Sequence, residues 1–217
     1  MTEQIDLGNA QGSDQQGNLL KAFAAIPSAN IGDGMQRLGL LDSSIQSVWP
    51  GACVVGPAFT CWTRPGDNFW IHKALEEAKA GDVIVVNGGG DVTRALIGEL
   101  IGIRAKIKGI AGFVIDGAVR DADGLAEYGM PVFARAITPA GPYKDGPGML
   151  SIPVAVGGVS VAPGDIIVGD SDGVAVVPRA KAAEILVAAT AVQDRENERR
   201  AGYEATLDAM LTQRPTS

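Results

Sequence analysis

Between Gly98 and Asp121 the chain reads GELIGIRAKIKGIAGFVIDGAVRD, which sets an acid, Glu99, ahead of an adjacent arginine and acid, Arg120 and Asp121. Two carboxylates and a guanidinium suit chemistry on a 2-oxo acid held at a divalent cation. Carboxylates ligate hard cations, and the planar guanidinium fork pairs with carboxylate or enolate oxygens. Read locally, Arg120-Asp121 also fits a helix-start acid beside a surface arginine, and Glu99 fits a cap on the helix that follows it.

The elements needed to position these groups can be read from the same stretch. Ala111 to Ile115 is a short apolar run rich in branched residues and bounded by glycines, as expected of a buried strand. Leu100 to Lys108 has apolar residues at 100, 101, 103 and 107 and basic residues toward its end, which predicts a helix opening at Gly98-Glu99 and stopping at Gly109. In α/β folds, ligands gather where strands end and helices begin, because free N–H groups and the helix dipole favour anions there. Gly98 and the amides of Leu100 and Ile101 are therefore expected to bind the carboxylate end of a small substrate, together with Arg120.

Elsewhere the pattern predicts helices over residues 18–25 and 31–38, the latter ended by Gly39, and a strand over 82–86. A helix through Lys79 is expected to start at Asp67 or Asn68. Short strands separated by PGD and SDG turns should follow over 151–177, and then a long amphipathic helix over 179–200 that could serve as a subunit arm. Gly88-Gly89-Gly90 lacks a phosphate-loop or dinucleotide signature and reads as a permissive turn. His72 reads as a packing or pocket-edge residue, and Lys79, Lys106 and Lys108 as surface residues. Cys53 and Cys61 form no CxxC pair and read as buried, reduced thiols.

With 217 residues, 46% hydrophobic, and 29 glycines, the chain can bury one sizeable core rich in strands and tight turns. We expect a flexible tail over residues 1–16 and a single domain over 17–217. A net charge of -7 and a pI near 4.7 argue against nucleic acid as a partner. The start lacks a secretory pattern, and no apolar run reaches membrane-spanning length, so a cytoplasmic protein with no membrane partner is expected.

Six segments carry a family resemblance: GE…VIDGAVRD itself, IGDGMQRLG (31–39), PGACVVGPAFT (50–60), PGDNFWIH (65–72), AGDVIVVN (80–87) and PGDIIVGDSDGVAVVP (163–178). Over roughly residues 26–198 the chain resembles the class II 4-hydroxy-4-methyl-2-oxoglutarate and 4-carboxy-4-hydroxy-2-oxoadipate aldolases. Their family also contains the regulator of ribonuclease E activity A (RraA-like). The resemblance implies an α/β/β/α sandwich of the swivelling phosphohistidine-domain type with a C-terminal helix. It also implies a homotrimer or homohexamer with sites at subunit interfaces, and Mg²⁺ or Mn²⁺ as cofactor.

Aldolases of this family are marked by an aspartate, twenty residues, then Arg-Asp. Here Arg120-Asp121 is intact, but Glu99 stands in place of the first aspartate, one methylene longer. The family implies that Asp121 ligates the metal directly, and that Glu99 reaches it through a water. An acid from a neighbouring subunit's C-terminal helix completes the shell, with Glu198 as candidate and Glu196 close beside it. Cleaving C3–C4 of a 4-hydroxy-2-oxo acid leaves a pyruvate enolate, whose charge needs a Lewis acid or preformed donors. Oxaloacetate decarboxylation passes through the same enolate. The alternatives are a protein-binding regulator on the same scaffold, and a different 2-oxo-acid lyase or hydratase. The distal substrate pocket is open among Arg64, Asn68, Trp70 and the Pro/Gly-rich loop over residues 139–150.

Overall fold

The computed structural model describes residues 16–212. The tail expected over 1–16 lies outside them, apart from Gln16, which opens helix α1 (residues 16–23). Helix α2 (Ser28–Gly34) follows, then strands β1 (Gln46–Ser47) and β2 (Val54–Thr63), and the alternating series α3 (Phe69–Glu77), β3 (Val83–Asn87), α4 (Glu99–Lys108), β4 (Gly112–Val119), α5 (Ala122–Glu127) and β5 (Val132–Ile137). Five further strands close the fold: β6 (Gly148–Leu150), β7 (Val154–Val156), β8 (Val159–Val161), β9 (Ile166–Asp170) and β10 (Gly173–Val177). A 3₁₀ turn over Arg179–Lys181 leads into the long helix α6 (Ala182–Thr212).

One mixed sheet runs β1-β5-β4-β3-β2-β9-β10, with β6 joining on β2 and β7-β8 forming a separate hairpin. It curls until its edge strands β1 and β10 approach each other, giving a nearly closed, barrel-like body. The ten-residue β2 is the hinge of this arrangement. Val54–Pro57 pairs antiparallel with β9, Ala58–Trp62 pairs parallel with β3, and Cys61–Thr63 pairs antiparallel with β6.

Strand alternation sends side chains into three cores. Val83, Val85, Val114, Ile167, Val174 and Val176 point inside the curl. Ile84, Val86, Phe113 and Ile115 point outward beneath α3, α4 and α5. Ile166, Val168, Ala175 and Val177 face the third core, which Phe23, Ile31, Ile185 and Ala189 cover from α1, α2 and α6. Strands buried on both faces cannot alternate apolar with polar residues, which is why VIVV, GFVI and VAVV read as continuous apolar runs.

Several boundaries differ from expectation. The strand expected over 111–115 extends to Val119, with a register shift between Ile115 and Ala118. Arg120 and Asp121 therefore follow it without a gap. Helix α2 starts earlier than expected, directly after Pro27, and stops earlier because Gln36 and Arg37 adopt positive φ of 57° and 65°. Its Gly34 lets α6 approach, since an added Cβ would lie 2.8 Å from the Ala189 nitrogen. The C-terminal helix continues past the charged RENERR run because Ala, Glu, Leu and Met sustain it. Cys61 is buried in β2 as expected, but Cys53 is exposed, lying one residue ahead of β2 rather than in the sheet. Lys79 and Lys106 are exposed; Lys108 is partly covered and donates to the carbonyls of Leu75 (2.7 Å) and Glu76 at the end of α3. No helix among the described residues is long and apolar enough to cross a membrane.

Candidate active site

The parallel run β2-β3-β4-β5, joined by α3, α4 and α5, brings three helix starts to one edge of the sheet. At the start of α4, Gly98 is extended, with φ -151° and ψ -166°. Its lack of a side chain is required by proximity. An added Cβ would stand 2.4 Å from Asp121 Oδ2 and 2.9 Å from Arg120 Cγ. Into that space Asp121 sends its carboxylate, which accepts a hydrogen bond from the Glu99 N–H at 3.2 Å.

Asp121 is itself held in the left-handed region, φ 55° and ψ 45°, as the residue preceding α5. That conformation costs a non-glycine residue on the order of 1 kcal/mol, and such outliers concentrate at functional sites. Arg120 is fixed by its backbone N–H donating to the Ile97 carbonyl at 3.0 Å. Its Nε lies 3.4 Å from Asp121 Oδ2. Both side chains remain 42% exposed, so each can meet a ligand while touching the other.

Arg120, Asp121, Gly98, Leu100 and Ile101, all candidates from the sequence, line one cavity of about 300 Å³. Their roles divide differently. The Ile101 and Gly102 amides both donate to the Gly98 carbonyl at 3.1 Å, so Ile101 contributes its side chain to the wall rather than a free N–H. Among the described residues the Leu100 amide has no partner, and an unpaired amide at a helix start is the kind of donor that can meet an anion. Glu99 does not line the cavity: its carboxylate lies over Gly124 in α5, where an added Cβ would come within 2.5 Å of Oε2.

The opposite wall comes from residues that motif reading left open. Asn68 and His72 stand one turn apart at the start of α3, and Gly141, Pro142 and Lys144 form the roof. Asn68 is 4% exposed; its Nδ2 donates to the Leu96 carbonyl at 3.1 Å, while its Oδ1 is buried with no partner among the described residues. Arg104 Nη1 lies 3.1 Å from His72 Nδ1. A guanidinium only donates, so Nδ1 accepts and the imidazole carries its proton on Nε2. Partial burial, then the charges of Arg104 and Lys144, push the His72 pKa below its usual 6.5. Arg64 and Trp70 do not line this cavity. The four-residue interval from Asn68 to His72 is the signal that could have paired them, since it places both on one helix face.

Among the described residues no group of three or more His, Cys, Asp or Glu side chains forms a metal cage. What the site offers is the partly exposed Asp121 carboxylate, which already accepts the backbone N–H of Glu99 from across the sheet edge. A carboxylate-only donor set fits Mg²⁺ or Mn²⁺, which keep several waters, and does not fit a closed zinc site. On α6, Glu196 accepts a hydrogen bond from Asn30 Nδ2 at 2.7 Å, whereas Glu198 is exposed and has no partner among the described residues. Neither reaches the cavity of its own chain.

Comparison with known proteins matches residues 28–176 to the RraA-like family, described as Aldolase/RraA. A protein of Halalkalibacterium halodurans, provisionally named a 4-hydroxy-4-methyl-2-oxoglutarate aldolase, is 42% identical over 169 residues, covering 78% of this chain and 80% of that protein. The 4-hydroxy-4-methyl-2-oxoglutarate aldolase of Thermus thermophilus is 42% identical over 112 residues, covering 52% of this chain and 68% of that one. Among solved structures, Streptomyces coelicolor RraAS2, described as an unusual member of the RNase ES inhibitor RraA family, superposes with a TM-score of 0.77 at 34% identity. It covers 85% of this chain and 96% of its own.

Proposed function

This chain belongs to the RraA-like (Aldolase/RraA) family, and from that premise we propose that it is a divalent-metal-dependent lyase. It would cleave a 4-hydroxy-2-oxo di- or tricarboxylic acid to pyruvate and a second oxo acid, and decarboxylate oxaloacetate as a side reaction. The observation that carries this reading is the convergence of Arg120, Asp121 and the unpaired Leu100 amide on one cavity.

Asp121 would hold the cation, with Glu99 reaching it through water and Glu198 of a second copy completing the outer shell. When bound there, a divalent cation would supply Lewis-acid chemistry to the 2-oxo oxygen. The Leu100 N–H and the Arg120 guanidinium bind the pyruvoyl carboxylate, and the same guanidinium faces the oxygen on which negative charge grows. A water in the cavity takes the C4 hydroxyl proton. The C4–O electrons form the new carbonyl, the C3–C4 pair moves into the enolate, and C3 then regains a proton to give pyruvate. On the far wall, Lys144 and the His72 Nε2–H suit a second carboxylate, and the orphaned Asn68 Oδ1 suits a hydroxyl donor. A site closed by copies of the same chain suits a homotrimer or homohexamer.

Pyruvate release from 4-hydroxy-4-methyl-2-oxoglutarate, 4-carboxy-4-hydroxy-2-oxoadipate and oxaloacetate tests this reading, assayed with lactate dehydrogenase after chelation and after Mg²⁺ or Mn²⁺ is restored. Metal-restored turnover that Asp121→Ala abolishes supports it. A folded oligomer inert on all three refutes it and favours the second reading, a protein-binding inhibitor, which the likeness to RraAS2 supports.

A further inference from the structure

Asp67 is fully buried, yet it is remote from the motif and lines no part of the cavity. Its carboxylate nevertheless joins the two elements that build the far wall. Oδ1 accepts from the Phe69 N–H at 2.9 Å, at the start of α3. Oδ2 accepts from the N–H groups of Asp145 and Gly146, at 3.0 and 2.8 Å, and from Arg64 Nη2 at 2.9 Å. The backbone repeats the link on either side: Asn68 N–H donates to the Tyr143 carbonyl, and Tyr143 N–H to the Gly66 carbonyl, at 3.0 and 2.8 Å. Tyr143 is further held by Arg94, whose Cζ sits 4.2 Å from the ring centroid and whose Nη1 donates to the Gly141 carbonyl at 2.9 Å.

Within the aldolase reading above, we propose that Asp67 is the positioning residue of the distal wall: one buried carboxylate fastens the roof loop to the start of α3, and so fixes Lys144 relative to Asn68 and His72. The bonds are of the strong, charge-assisted kind. Burial raises the Asp67 carboxyl pKa, but the three amides and Arg64 outweigh it and hold the group below 3.8, so it stays ionised as an acceptor of four bonds. Gly146 is required at the junction, because an added Cβ would lie 2.8 Å from Arg64 Nε and 2.9 Å from Asp67 Cγ.

Asp67→Asn turns one acceptor oxygen into a donor facing N–H groups, so part of this set is lost. In the full-length oligomer we expect the amides of Asp145 and Gly146 to exchange with deuterium at least about tenfold faster. Tryptic cleavage after Lys144 should accelerate with them. For the oxo acid cleaved, KM should rise about tenfold while kcat stays within about threefold, the mark of lost ground-state binding. If Asp67→Asn does not fold, Gly146→Ala disturbs the same junction from the loop side. A purely structural role would lower Tm while loop exchange and KM stay unchanged, and that result overturns the proposal. So does a loosened loop with an unchanged KM. Should the wild type turn over none of the substrates, the aldolase reading fails by itself; amide exchange at Asp145 and Gly146 and tryptic cleavage after Lys144 then decide alone, and rates unaltered by Asp67→Asn overturn the positioning role.

Discussion

Asp121 caps the helix that Glu99 begins: its Oδ2 accepts the Glu99 N–H at 3.2 Å across 22 residues of sequence. The two acids of the motif are thus joined through the main chain of one and the side chain of the other. Arg120, whose Nε touches the same oxygen, is oriented by this contact as well.

Gly98→Ala tests how closely the contact is fitted. The new Cβ would arrive 2.4 Å from Asp121 Oδ2, so the carboxylate and Arg120 must swing away while the helices stay in place. A displacement near 1 Å in such a site costs about 100-fold in rate. Pyruvate release should fall by that factor or more, with Tm lowered by only a few degrees in a thermal melt.

Arg120→Lys keeps the charge but removes the planar fork and shortens the reach. We expect turnover to drop by about 10² to 10³ with the oligomer intact, as for loss of one donor to a developing oxyanion. Loss in KM alone, with kcat preserved, would confine Arg120 to ground-state binding.

His72 is the chain's single histidine, so one NMR resonance reports its titration. It should titrate below 6.5, with Nδ1 unprotonated at neutral pH. Arg104→Gln removes a lowering charge and should move the midpoint up. Because the folded pKa lies below the unfolded value, the fold binds fewer protons than the unfolded chain. This contribution to stability is therefore intact above 6.5 and lost as pH falls through the folded pKa.

The two thiols should separate under a thiol reagent. Cys53 is exposed, whereas burial raises the Cys61 pKa to about 12 and closes off access. Native protein should react at one equivalent and unfolded protein at two; two equivalents in the native state would mean that β2 opens readily.

The motif, the strand and helix that carry it and the cavity residues Gly98, Leu100, Arg120 and Asp121 were legible in the sequence, because apolar periodicity and glycine boundaries act locally. The loop over 139–150 was legible only as one candidate among several for the distal pocket, because what brings it to α3, such as the bond from the Asp145 N–H to Asp67, 78 residues upstream, is a pairing that residue patterns do not encode. Cys53 was misjudged because it neighbours a strand that starts one residue later. The free amide was assigned to Ile101 as well as Leu100, since only coordinates reveal that the first turn of α4 bends back on the Gly98 carbonyl.

Strand β2 also sets an order on folding. Its second half pairs with β3, which lies close behind it in sequence, but its first half waits for β9, so that Val54 meets Gly169 only after most of the chain has been made. Closures of such long range are slow, and until they happen the strand presents an unpaired apolar edge. The half of the protein that holds the cavity can assemble around local β-α-β units while the ribosome is still at work. The other half must complete the curl, and a cell making this protein rapidly would meet its aggregation risk in that interval.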